Sequence, residues 1–141
     1  MNIDYVLLAE GVTADIRGAM TLVGYNQRVV NSPTLPFSFK QTLVVSLSGE
    51  MTKGAQAQLS VNLNTPEGGS AFAFTQPVQV PSPTLKGIPA STNIAMDIPF
   101  TGVSYGAYKL KVAWREAGQE AEERELELFV VNPAELTNQA S

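Results

Sequence analysis

Tyr108-Lys109-Leu110-Lys111-Val112-Ala113-Trp114-Arg115 is the stretch that decides the fold. Its large apolar side chains all fall on even positions and its charges all fall on odd ones. Successive side chains of a strand point to opposite faces, so Tyr108, Leu110, Val112 and Trp114 share one buried face. Lys109, Lys111 and Arg115 share the solvent face. The octet reads as a strand.

Working outward, the same alternation recurs. Over residues 57–63, Ala57, Leu59, Val61 and Leu63 oppose Gln58, Ser60 and Asn62. Over 93–100, Ile94, Met96, Ile98 and Phe100 oppose Asn93, Ala95, Asp97 and Pro99. Over 42–47, Leu43, Val45 and Leu47 alternate with Thr42, Val44 and Ser46. No stretch of comparable length carries apolar residues at helical spacing. The expected core is the same-parity set Leu43, Val45, Leu47, Leu59, Val61, Leu63, Ile94, Met96, Ile98, Leu110, Val112, Trp114, Leu126 and Leu128.

Punctuation between these runs gives about eight strands in turn-separated order, which predicts an all-β, two-sheet antiparallel sandwich, immunoglobulin-like or C2-like. Residues 3–12 form the first strand, apolar on both faces at Tyr5-Val6-Leu7-Leu8, as for a strand inside a sheet. Gly18 turns the chain into 20–30, where Gly24 marks a bulge or a close backbone approach. A loop over 31–36 leads to a strand over 37–49, and a turn over 50–55 leads to one over 56–64. Thr65-Pro66-Glu67-Gly68 has the proline and glycine of a type I turn. Pro77 marks the strand over 71–80 as an edge or a bulged strand. The proline-rich segment 81–90 reads as a crossover between sheets rather than a domain linker. Strands over 108–115 and 123–131 close the chain as a hairpin, so residues 1–132 form one domain and 133–141 a polar tail.

In that hairpin, Lys109, Lys111 and Arg115 on one strand and Glu123, Glu125 and Glu127 on the other are all odd-numbered. Consistent faces require paired positions to have an even sum, since a slip by one residue turns every side chain over. A loop around Gly118-Gln119 gives the pairs Arg115 with Glu123 and Lys111 with Glu127. The same register sets Arg124 opposite Trp114 for a cation–π contact. Gly106-Ala107-Tyr108 fits the tyrosine corner of immunoglobulin-like sandwiches, whose hydroxyl bonds to upstream backbone. It equally fits a buried aromatic whose hydroxyl reaches the sandwich end.

Asp4-Tyr5-Val6-Leu7-Leu8-Ala9-Glu10, Met20-Thr21-Leu22-Val23-Gly24-Tyr25 and Tyr105-Gly106-Ala107-Tyr108 together resemble a family of small bacterial proteins known only as a domain of unknown function. Its members similarly begin with an Asp-aromatic strand followed by a Leu-x-Val-x-Gly-like strand. The resemblance spans most of the chain and implies a bacterial or phage-derived β-sandwich, with no activity to carry over. The polar, uncharged middle strands of this chain depart from that pattern.

Composition narrows the chemistry. The chain of 141 residues has no histidine and no cysteine. Ser-His-Asp and Cys-His nucleophiles are therefore excluded, and with them zinc bound by imidazole or thiolate. At 141 residues the chain is long enough to bury a core without disulfides or a structural metal. A net charge of −4, with nine scattered Lys and Arg, argues against nucleic-acid and anionic-membrane binding. Glu116, Glu120, Glu122, Glu123, Glu125 and Glu127 concentrate the acidity in the terminal hairpin. The first residues lack a signal peptide's basic and apolar regions, and no run has the length of a membrane span, so a cytoplasmic location, or a place in a phage-derived assembly, is expected.

Remaining constellations are weak. Ser38-Phe39-Lys40 places a serine and a lysine two apart on a strand, without the elbow that exposes a nucleophile. Asp4, Glu10, Asp15 and Asp97 are far apart and read as turn caps or solvated strand positions rather than an acid–base pair. Three Asp with no Asp-x-Asp run disfavour calcium. Gly68-Gly69 reads as a turn, not a phosphate loop. Trp114 would stack a sugar only if exposed, and its parity makes it core. No catalytic, cofactor or metal residue is assigned. The expectation is a non-catalytic protein-interaction or structural module, whose partner is another protein or a second copy pairing along an edge near Pro77. The alternative is a small-ligand binder or carboxylate-based enzyme with a site at one loop end.

Overall fold

A computed structural model describes residues 1–14, 20–24, 28–49, 56–79 and 90–135. Its strands are β1 (Asn2–Ala9), β2 (Gly11–Ala14), β3 (Met20–Val23), β4 (Val29–Asn31), β5 (Phe37–Gly49), β6 (Ala57–Asn64), β7 (Ser70–Val78), β8 (Ala90–Gly102), β9 (Gly106–Glu116) and β10 (Glu122–Val131). They form a three-stranded sheet in the order β1-β5-β8, a five-stranded sheet in the order β4-β10-β9-β6-β7, and a β2-β3 hairpin. The protein is all-β, and its two larger sheets share one apolar core drawn from β1, β5 and β8 on one side and β6, β9 and β10 on the other.

Alternation builds that core. In β6 the odd positions are buried, as are the even positions of β9 from Tyr108 to Trp114. The expected core residues are buried except Ile94, Met96 and Leu126, which are half-buried and packed against it. Ile94 and Met96 lie on β8, an edge strand, and Leu126 lies beyond the reach of β4, which pairs only with Phe129–Val131. Each fully buried Leu or Val contributes about 1.5–3 kcal/mol of apolar transfer. Over Gln41–Leu47 the central strand β5 is buried on both faces.

Four expectations are corrected. The first strand is not inside its sheet: among the described residues β1 is an edge, paired only with β5. A bulge between Ile3 and Tyr5 shifts its parity, so Ile3 and Leu8 join the core while Leu7 and Ala9 are buried on the opposite face. Apolarity on both faces reported burial of both faces, not a central position. The described strands number ten rather than about eight. Residues 3–12 divide at Glu10, whose N–H donates to the Val23 carbonyl at 2.8 Å, and 20–30 divides at Gly24. Gly24 has φ 65°, and a Cβ there would meet the Glu10 side chain at 2.5 Å, the close approach the sequence suggested. The sandwich is not wholly antiparallel, because β4 joins β10 in parallel.

The fourth correction concerns the terminal hairpin. Its parity is as expected, but its register is two residues tighter: Lys111 faces Glu125, Lys109 faces Glu127, and Arg124 faces Val112. Gln119 N–H donates to the Glu116 carbonyl at 3.0 Å, with Gly118 at φ 80° in the third turn position. The turn over 116–119 therefore has Ala117 and Gly118 as its central residues, one residue earlier than expected.

Other turns hold. Gly68 N–H donates to the Thr65 carbonyl at 2.9 Å. β7 is an edge of the five-stranded sheet and β8 belongs to the other, so the chain crosses between sheets after β7. The crossover residues 81–89, the turns at Gly18 and 50–55, and the tail beyond residue 135 lie outside the described residues. Residues 133–135 form one helical turn, capped by the Asn132 side chain, which accepts from Ala134 N–H at 3.0 Å.

Candidate functional site

The polar residues singled out in the sequence are held in separate places. Ser38 and Lys40 are both exposed on β5, and Lys40 Nζ lies 3.7 Å from Asp97. Asp97 also accepts from the Thr42 hydroxyl at 3.0 Å, while Asp4 accepts from Ser48 at 2.7 Å near the other end of β5. Glu10 sits at the corner between β1 and β2, and Asp15 lies outside the described residues. Asp4 and Asp97 are each held by a local neighbour and Glu10 is exposed. Among the described residues no cluster of three or more His, Cys, Asp or Glu has metal-holding geometry. Trp114 is a core residue, 2% exposed.

Sequence reasoning missed a polar clasp between the sheets. Glu116 is buried, paired with the amino group of Met1 and 3.4 Å from Trp114 Nε1. Its even number was the available signal, since extending the β9 alternation by one step places this carboxylate on the core face. Beside it, Glu122 accepts from Ile3 N–H at 3.1 Å, and Arg124 donates to the Ile3 carbonyl at 3.2 Å. Glu122 and Arg124 are themselves 2.9 Å apart. Together they satisfy the backbone of an edge strand where, among the described residues, no further strand pairs with it. Arg124 thus serves β1 rather than the Trp114 ring.

Two cavities among the described residues offer little for chemistry. One of about 10 Å³ lies in the core against Leu8, Gln41, Leu63, Ile98, Phe100, Leu110 and Leu128, room for about one water. A surface depression of about 230 Å³ is lined by Gln56, Gln58, Arg115, Ala117 and Gly118. Its described lining offers two amides and one guanidinium, with no acid–base pair.

The edges of the two larger sheets differ more. β4 is only three residues long. β8 carries Asp97 and Pro99, and β1 carries Asp4 besides the clasp at Ile3. Charge, proline, shortness and coverage are the devices that keep an edge from pairing. β7, Ser70-Ala71-Phe72-Ala73-Phe74-Thr75-Gln76-Pro77-Val78, has no charged residue, and its proline comes only at its second-last position. Among the described residues only β6 pairs with it.

Which backbone groups β7 offers follows from its neighbours. The Gln56 carbonyl accepts from Ala117 N–H at 2.8 Å, so even positions of β6 point toward β9 and odd ones toward β7. Val61 faces Phe74 and Leu59 faces Gln76, so the even positions of β7 bond to β6. The amides of Ala73 and Thr75 therefore point out of the sheet, whereas Ala71 is the unpaired residue of a bulge between the Leu63–Phe72 and Asn64–Ser70 pairs and packs with Phe72 against the core. Pro77 falls on the outward set, where its missing N–H costs the β6–β7 ladder nothing. Phe72 and Phe74 lie on the inner face with ring centroids 6.5 Å apart, and Phe74 is 40% exposed.

Compared with protein-family models and with curated proteins, the chain matches none. What the fold and its surface define is an all-β protein of two packed sheets in which, among the described residues, β7 is an uncharged edge strand. No helix of the described residues is long and apolar enough to cross a membrane.

Proposed function

We propose that this protein is a non-catalytic protein-interaction or structural module whose working surface is the outer edge of β7. The observation that carries the reading is an uncharged nine-residue edge whose outward amides at Ala73 and Thr75 run beside a part-exposed phenylalanine. An extended segment adding to such an edge gains main-chain hydrogen bonds, and side-chain pockets supply specificity. The reading of a carboxylate enzyme is the weaker one, because Asp4, Glu10 and Asp97 sit apart. Quantitative co-purification tests the proposal, with wild type compared against Thr75→Lys, which places a charge on the exposed face of the edge. A stoichiometric protein, or the chain itself, retained by wild type and lost from the variant supports it. Equal retention by both, together with turnover or thermal stabilisation in a metabolite screen, would move the assignment to the ligand-binding class.

A further inference from the structure

We propose that the outer face of the five-stranded sheet holds a carboxylate-binding site at the β9–β10 turn. Its ligand is a carboxylate carried beside an amide, the chemistry of a peptide C-terminus or of an N-acyl amino acid. The site is the depression of about 230 Å³ lined by Gln56, Gln58, Arg115, Ala117 and Gly118. It lacks an acid–base pair for a reaction but has the groups that recognition needs. The proposal does not depend on the β7 edge.

Register is what leaves Arg115 available. Across the hairpin Lys109 faces Glu127 and Lys111 faces Glu125, while the pair nearest the turn, Trp114 with Glu122, stops one residue short of Arg115. On its other side Arg115 faces Gln58, not an acid. Among the described residues Arg115 is exposed and makes no ion pair, whereas Lys40 and Arg124 each make one.

The surroundings select the ligand. A guanidinium presents its N–H donors in a planar fork that fits a carboxylate through two parallel hydrogen bonds. Gln58, directly across from Arg115, and Gln56, which lines the same depression, each add a carboxamide that both donates and accepts, the complement of a ligand amide. Gln56 is anchored through its carbonyl, which accepts from Ala117 N–H at 2.8 Å. The rim at Gly118 is bare, since a Cβ there would meet no atom within 4 Å. The volume is below the roughly 300–1,000 Å³ of pockets for drug-sized ligands, so it suits one terminal group rather than a nucleotide. Glu123 lies diagonal to Arg115 across the hairpin, and the chain has a net charge of −4. That negative field favours a singly charged carboxylate over a phosphate.

Nitrogen–proton correlation NMR on the full chain at low ionic strength, titrated with N-acetylglycine, tests this. Saturable shifts are expected at the Gly118 amide, the Gln56 and Gln58 carboxamides and Arg115 Nε–H. N-acetylglycinamide, the neutral counterpart, is expected to cause none of them. Arg115→Gln is expected to weaken binding by about tenfold or more while leaving the rest of the spectrum in place, because a charged hydrogen-bonding partner is lost. Arg115→Lys keeps the charge without the fork and is expected to bind less tightly than wild type but more tightly than Arg115→Gln. Gln58→Leu is expected to weaken binding with the guanidinium intact. Shifts that never saturate, equal shifts from the neutral amide, or undiminished binding by Arg115→Gln would overturn the site. Tighter binding of inorganic phosphate than of N-acetylglycine would overturn the carboxylate assignment. Two outcomes support the site and separate its sources: a short acetylated peptide ending in a free glycine carboxylate that binds more tightly than N-acetylglycine points to a protein C-terminus, and equal affinities point to the free N-acyl amino acid.

Discussion

Tyr108 shows how much a single side chain carries in this fold. Its ring is fully buried against Phe100, with centroids 5.6 Å apart, and its hydroxyl donates to the Ser104 carbonyl at 2.8 Å, four residues upstream. Both sequence readings of Gly106-Ala107-Tyr108 are thereby realised, since the buried ring and the upstream hydrogen bond belong to one residue. Tyr108→Phe keeps the ring and strands the carbonyl, so it is expected to cost about 1–3 kcal/mol, the penalty of an unsatisfied buried acceptor. The urea midpoint checks it, and an unchanged midpoint would show that solvent reaches Ser104. Leu110 tests the core by a different mechanism. It is 1% exposed and lines the small core cavity, so Leu110→Ala enlarges a space that is already imperfectly filled. An expected loss of about 2–5 kcal/mol combines lost transfer energy with the cavity left behind.

At the scale of the element, the β9–β10 hairpin separates what periodicity can specify from what it cannot. The parity of its charges was legible, because every side chain would change face on a one-residue slip. The absolute register was not, because a two-residue shift keeps every face and changes only the partners. Gly118, with φ 80° in the third turn position, makes that choice through the turn's own geometry. The register predicts specific coupling: Lys111 and Glu125 are directly opposed, whereas Glu127 faces Lys109. Reversing charge at Lys111 and Glu125 in a double-mutant cycle is expected to show a coupling of about 0.2–1 kcal/mol, typical of exposed cross-strand pairs. The cycle pairing Lys111 with Glu127 is expected to show less. Equal couplings would mean that the long side chains average over both partners. Glu116 makes the complementary point: counted as one more surface acid, it was invisible, and only its position in the alternation placed it on the core face.

For the whole molecule, strand identity was largely written in the sequence, but sheet membership was not. The bounds of β5 were legible to the residue, because its ends are marked by Pro36 and Gly49. That β5 pairs with β1 and β8, and that β4 reaches β10 in parallel, depends on contacts far apart in sequence that no local pattern encodes. The β7 edge was half legible: Pro77 marked β7 as an edge, whereas its lack of charge stood out only by comparison with β1 and β8. Those assignments have a thermodynamic consequence. Residues of both larger sheets interlock in a single core, and the Glu116 and Glu122–Arg124 contacts tie the terminal hairpin to β1. Neither sheet can then lose its partner without exposing its own apolar face, so the protein is expected to unfold in one cooperative step. The sole tryptophan, Trp114, is 2% exposed at the heart of the five-stranded sheet, and its fluorescence reports that sheet's packing against the other. Far-ultraviolet circular dichroism reports the strands of both. In a urea titration the two signals are expected to coincide in midpoint and slope. Earlier loss of the tryptophan signal would show that the sheets part before their ladders melt, which a shared core of this kind does not permit.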